Sequence, residues 1–587
     1  MNKIIKIISI ILVGTLLLCA CSKNSNNEQS DTTSTLTVDD IIDESDMFSK
    51  RDLDYSYEDR NPVSITLKDG KSSSDSENVT ITDDTITITS EGVYILTGSL
   101  TDGQVIIDTD DSDKVQLVLD SVKINCDDSA SIYAKSADKL FITSITDDNE
   151  LTNKSDYVQI DDNNINAVVY SKCDLTLNGS GKLNVTAKYG HAVSSKDDLK
   201  ITSGEYTITS SEKHSLDAND SIRITDCTLN LTAKEDAIHA DNDEKEEKGF
   251  VFIKDGTITI NADDDAIHSS SALKINDGTI NIEKSYEGLE GRLIDISGGD
   301  ITITSSDDGM NASSGSGSDM QFGGQDNNFN PNSDDTKDST IESTEDTIDN
   351  TDDKDTKGGF GGQGGFGSSD TNCSLNITGG KIYVNAEGDG LDSNGTMTIS
   401  GGEITVFGAS NDGDSAIDYE TSAEISGGTL IAVGMSGMAE SFEDTSSQCS
   451  ILYDTSSQGN SGTEIKLTDS DGNTILSTTA VKKFDCVIFS SPDITSSGKY
   501  NVVIGSNTEE IKMSGTTYSN GKSGGIMSGK GGIFNKDSND KKEMPSGEQP
   551  SGEQPSGEMP SGDKPDGEKP DDMPNDFSPN DSATTSA

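Results

Sequence analysis

Apolar and polar residues alternate along this chain in short runs, and the runs recur. From Val63 the pattern reads VSITL, NVTITDDTITITS, VYILTG, QVIID and VQLVLDSVKIN, with Asp, Gly or Ser at the boundaries. Period-two alternation bounded in this way predicts short β-strands. Between His191 and Met310 one unit is then written five times over, from HAVSSKDDLKITSGEYTITS to EGLEGRLIDISGGDITITSS. Aligned on Val193, Leu216, Ile238, Ile267, Leu289 and Met310, the steps are 23, 22, 29, 22 and 21 residues. A period of this size marks a repeat architecture.

Within a unit the order is apolar-x-apolar, two residues, Gly, then apolar-x-apolar, as in Leu273, Ile275, Gly278, Ile280 and Ile282, or Met397, Ile399, Gly402, Ile404 and Val406. The alternation supplies strands and the glycine a tight corner. A third short strand carries the anchor, preceded by Ala, Ser or Gly. Three strands per coil of about 22 residues predict an all-β fold, a right-handed parallel β-helix or solenoid, with coils about 4.8 Å apart over one narrow apolar column. A propeller or Greek-key sandwich is the alternative, but propeller blades need about 40 residues or more.

The same reading divides the chain. Residues 1–20 have the Lys-bearing start and apolar run of a secretory signal, and Leu18-Cys19-Ala20-Cys21 resembles a bacterial lipobox, which implies lipidation of Cys21. A lipid there would hold an exported protein at the extracellular face of the cell membrane. Residues 21–61 are polar and predict a disordered tether, apart from a patch from Val38 to Phe48. An N-terminal β cap with the first coils spans 62–160, and β-helix repeats span 161–313. The segment 314–372 is low in complexity and predicts a disordered insertion. Repeats resume over 373–439 and a C-terminal β cap follows over 440–521. The Pro/Gly/Glu-rich stretch 522–587 predicts a disordered tail.

Composition narrows the functions. Of 587 residues only 30% are hydrophobic, which suits a solenoid's thin core better than one large globule. Against 105 Asp and Glu stand 43 Lys and Arg, a net charge of −62 that argues against nucleic acid and anionic membrane surfaces as partners. Cations are the natural counterpart. Trp is absent, so flat stacking on neutral sugars has few candidates. Six cysteines beyond the lipobox permit disulfides but lack zinc-site spacing.

Stacking converts sequence columns into spatial ladders. Two positions before the anchor stand His191, His214, Asp236, Asp265, Glu287, Asp308, Asp389 and Ser415; one position after it stand Ser194, Asp217, His239, His268, Glu290, Asn311, Asp392 and Asp418. All four histidines of the chain fall in these columns. Carboxylates one coil apart repel by about 3 kcal/mol at an effective dielectric near 20, so a row of them calls for a cation. Calcium suits it, taking six to eight oxygens in loose geometry. A transition-metal site using His239 and His268 is also open. So is the plain reading that the acids are solvated turn residues.

DDAIHSSSALKINDGTINI, YEGLEGRLIDISGGDITITSSDDGMNA and GDGLDSNGTMTISGGEITV, with YILTGSLTDGQVIID and DKVQLVLDSVKI upstream, resemble the carbohydrate-binding domain family of clostridial surface proteins across residues 62–440. The resemblance implies a polysaccharide-lyase-like, calcium-carrying β-helix that binds cellulose or acidic pectic polymers. It points to Asp236, Asp265, Glu287, Asp308, Asp389 and Asp392 as calcium or ligand positions; the columns themselves add Glu290 as a metal position and Asp217, His239, His268, Asn311 and Asp418 as ligand-binding positions. The chain departs from the pattern at His191 and His214, where acids are expected. The expectation is a non-catalytic, lipid-anchored, monomeric surface protein binding an acidic polysaccharide through calcium. A calcium-dependent lyase, with Arg223 or Arg292 as base, is the runner-up. An adhesin or spacer is the third reading.

Overall fold

The computed structural model describes residues 36–159, 163–242, 244–314 and 372–520. The expected signal segment, Cys21, the insertion apart from its first and last residues, and the C-terminal tail lie outside them. The described strands form one long mixed sheet of 37 strands and a separate antiparallel sheet of four. Helix is confined to Val38–Ile41 and two short 3-10 turns, so the described residues are all-β.

Most of the long sheet consists of three parallel ladders, in which each strand pairs with its counterpart one repeat later. On the first, Ile201, Ile224, Ile253, Ile275, Ile296, Ile377, Ile399 and Ile425 pair in succession. The second joins Ile208, Leu231, Ile260, Ile282, Ile303, Val384 and Val406. Val193, Leu216, Ile238, Ile267, Leu289, Met310 and Leu391 pair on the third, with an isolated bridge to Ile417. These are the residues that the repeat aligns. Nearly all are fully buried, in one continuous apolar column. Burying one such side chain is worth about 1.5–3 kcal/mol, so repetition rather than core width stabilises the fold. The register continues from Met310 to Leu391 and from Ile301 to Ile382 across the insertion.

The corner between the first and second ladders needs glycine. Gly299, Gly380, Gly402 and Gly428 have φ of +94°, +90°, +92° and +76°, which L side chains rarely adopt. Where Cys227 replaces the corner glycine, Asp226 before it takes the left-handed φ of 53°. The six described cysteines, Cys126, Cys173, Cys227, Cys373, Cys449 and Cys486, are buried and none forms a disulfide.

At the C-terminal end Thr429–Gly434 pairs antiparallel with Phe484–Ser490, which also pairs with Ser450–Gly459. The antiparallel partner covers the edge that another coil would otherwise extend. The four-stranded sheet, Glu464–Asp469, Thr474–Thr479, Lys499–Ile504 and Asn507–Lys512, follows in sequence.

Residues 36–60 correct the expectation of a disordered tether reaching residue 61. They form a strap along the outer face of the first ladder. Val38, Ile41, Ile42 and Met47 pack with Phe250, Phe252, Ala272 and Leu293. Lys274 Nζ pairs with Asp39 and Glu44 at 2.9 Å, Arg223 donates to the Met47 carbonyl at 3.2 Å, and Lys139 Nζ lies 2.7 Å from Asp52. Asp52 is fully buried and also accepts from the Thr176 hydroxyl at 2.9 Å. Three basic residues of the ladder are thus met by the acids and a carbonyl of residues 36–60, while Lys200 lies beside Asp198 at 3.3 Å.

Candidate functional site: two ladders of acids and histidines

Both columns lie along the third ladder. The one after the anchor is a true strand register: Ser194, Asp217, His239, His268, Glu290, Asn311 and Asp392 pair in succession, and Asp418 follows the Ile417 bridge. The one before the anchor is held by side chains. Each acceptor receives the backbone N–H of the same position one coil on: Asp236 donates to His214 Nδ1 at 3.0 Å, Asp265 to Asp236 Oδ1 at 3.0 Å, and Glu287 to Asp265 Oδ1 at 2.9 Å. Past the insertion Asp389 donates to Asp308 Oδ1 at 2.6 Å and Ser415 to Asp389 Oδ1. A short carboxylate at this position therefore satisfies an amide at the strand's entry, a structural duty the repeat does not announce. Glu287, one carbon longer, instead accepts from Asn311 Nδ2 with both oxygens at 3.1 Å.

The histidines of the two columns form one stack. Ring centroids are 5.0 Å apart for His191 and His214, 4.0 Å for His214 and His239, and 5.1 Å for His239 and His268. Each of the last two has a carboxylate at Nδ1: Asp217 for His239 at 3.2 Å, Glu290 for His268. Three groups bring metal-competent atoms within 4.8 Å of one another around these rings: His191 with His214 and Asp217; His214 with Asp236 and His239; Asp265 with His268 and Glu290. A fourth, Asp236 with Asp264 and Asp265, holds acids alone.

Charge divides the ladder into two regimes. At the histidine end burial opposes ionisation of Asp217, but the bonded His239 together with His191 and Lys196 outweighs it and holds this carboxyl below its ordinary value. Burial likewise works against the His268 cation, and the Glu290 carboxylate outweighs it and raises the imidazole. Past Glu287 no imidazole is available. Burial, then the neighbouring Asp307, pushes Asp308 up to about 7; burial and Asp308 push Asp389 to about 9; burial, Asp308 and Asp418 push Asp392 to about 8. Burial first, and then their neighbours' charge, thus disfavours the ionised form of all three acids. Among them Asn311 Oδ1 is buried with no hydrogen-bond partner. Oxygen donors alone and an unsatisfied carbonyl are the donor chemistry a hard cation such as calcium takes, although among the described residues the groups whose ligand atoms lie within 4.8 Å of one another stand nearer the histidines.

The remaining expected residues lie apart from these groups. Arg223 donates to Asp198 at 2.9 Å and to Ser221 at 2.8 Å, and stacks on Phe250 at 5.1 Å. Arg292 pairs with Glu246 at 3.4 Å. Neither forms an ion pair with the columns. Lysines do approach the histidine end: Lys196 lies 3.6 Å from Asp217, and Lys213 pairs with Glu235 at 2.6 Å. Reading the columns for acids passed over His191 and His214 as ligands, although both stand in the first column and the same alignment exposes them.

Residues 82–334 match the family model described as carbohydrate-binding domain-containing protein, which bears out the resemblance for that stretch. A carbohydrate-binding domain-containing protein of Acetivibrio thermocellus (strain ATCC 27405) is 38% identical over 130 residues, 22% of this chain and 45% of its own length. The chain thus spans about half the length of that curated relative. A solved structure of a polysaccharide lyase-like protein from C. thermocellum, a gadolinium derivative, is 32% identical with a TM-score of 0.36, covering 42% of this chain and 95% of that one.

Proposed function

We propose that this chain is a non-catalytic, lipid-anchored surface protein that binds an acidic polysaccharide through calcium held on the acidic part of its ladders, and that the three ladders wind as a right-handed parallel β-helix. The observation that carries the calcium reading is the run Glu287, Asp308, Asn311, Asp389 and Asp392, oxygen donors that follow one another along the third ladder and include the unsatisfied Asn311 Oδ1. A cation there relieves the repulsion and gives Asn311 a partner. It also leaves coordination positions open for uronate oxygens, which a chain of net charge −62 would otherwise repel. The match of residues 82–334 to a carbohydrate-binding family supports a polysaccharide as the partner. The ion pairs of Arg223 and Arg292 argue against either as a proton-abstracting base.

Affinity electrophoresis in gels containing polygalacturonate or soluble cellulose derivatives, with calcium or with chelator, tests the reading. Retardation that needs calcium and is lost in Asp308→Asn or Asp389→Asn is the expected result. Equal retardation under both conditions would remove calcium from the mechanism, and release of unsaturated uronate would make the protein a lyase.

A further inference from the structure

At the end of the columns away from the acidic run, His191, His214 and Asp217 bring one ligand atom each to within 4.8 Å of one another. His191 is 8% exposed and its Nδ1 is buried with no hydrogen-bond partner. A buried imidazole nitrogen left unpaired is destabilising unless something engages it. Asp217 beside it is already oriented: the Ser194 hydroxyl donates to Oδ2 at 2.6 Å and His239 Nδ1 sits 3.2 Å from Oδ1. Metal-ligating groups are typically held by such outer partners.

We propose that His191, His214 and Asp217 form a binding site for a borderline divalent cation of the zinc class, distinct from the oxygen-only run. Two imidazoles and one carboxylate match the donor preference of zinc, leave a fourth position open, and offer too few oxygens for calcium. His214 Nδ1 already accepts the Asp236 amide, so an ion held at that nitrogen would have to compete with this bond. The Lys196 ammonium, 3.6 Å from Asp217, opposes the ion and is one-third exposed, so it can turn to solvent. The site depends on nothing in the carbohydrate reading.

The test titrates the full-length chain, stripped of metal, with zinc chloride by calorimetry and with cobalt(II) by visible absorption. The expected result is one saturable zinc per chain, undisturbed by excess calcium, and a cobalt spectrum of nitrogen-containing, four-coordinate character. His191→Phe keeps the ring stack and removes the nitrogen, and is expected to weaken zinc about tenfold or more. No saturable binding, or equal affinity in His191→Phe, overturns the proposal. Should that variant fail to fold, histidine-ring NMR of the wild type decides: zinc that shifts His191 and His214 supports the site, and zinc that shifts His268 alone overturns it.

Discussion

Asp52 and Gly309 show how single residues can matter in a fold whose core is otherwise redundant. Burial alone would raise the Asp52 carboxyl, yet Lys139 at 2.7 Å brings it down to about 2. A depressed folded value stabilises the protein above the unfolded value near 3.8, and that contribution is lost as pH falls through 4 towards 2. The amount is about 2 kcal/mol, read as a drop in the urea midpoint over that interval that Asp52→Asn no longer shows. Gly309 stands between Gly288 and Gly390 of the adjacent repeats, where earlier repeats have Ala237 and Ala266, and a Cβ there would lie 2.3 Å from Val384 Cγ1 and 2.5 Å from the Gly390 carbonyl. Gly309→Ala is expected to cost about 1–3 kcal/mol in denaturant unfolding, the usual price of overpacking.

Among the elements, the strap and the ladders were unequally visible in the sequence. The ladders could be read residue by residue because a one-residue slip would turn every apolar side chain outward, so the spacing of Ile253, Ile275 and Ile296 dictates its own register. The strap could not. Its apolar patch runs from Val38 to Phe48, but its partners Lys274, Arg223 and Lys139 lie far along the chain, and no periodicity ties the strap to them. The acidic column was legible as a column and opaque as a device: that Asp236 or Asp265 accepts the next coil's amide depends on where that amide points, which spacing does not encode. Ile42 is 1% exposed in the strap's own small cluster, so Ile42→Ala is expected to cost about 2–5 kcal/mol locally. Amide exchange should then speed up across residues 38–52 while the ladder amides keep their protection.

On the scale of the whole molecule, the charge and the thin core make stability responsive to ions. If calcium occupies the acidic run as proposed, it stabilises the folded state by mass action, about 2.7 kcal/mol at a hundred times its dissociation constant. The melting temperature is then expected to rise with millimolar calcium well beyond the rise from equal magnesium, which demands a tighter octahedral shell. Asp308→Asn should flatten the difference, and scanning calorimetry measures it. Sodium chloride at matched ionic strength gives the screening contribution to subtract.

The strap also constrains the order in which the molecule can be assembled. Its acids meet Lys274 across 235 residues of sequence, and its apolar side chains meet Leu293. Synthesis delivers the strap early, but its binding face is complete only after the coils through Leu293 have stacked. Closing so long a loop is slow relative to adding one coil to its neighbour. Until then Val38, Ile42 and Met47 on one side, and Phe252 and Leu293 on the other, remain uncovered while the chain grows. The earliest-made of the described residues are thus among the last to find their place.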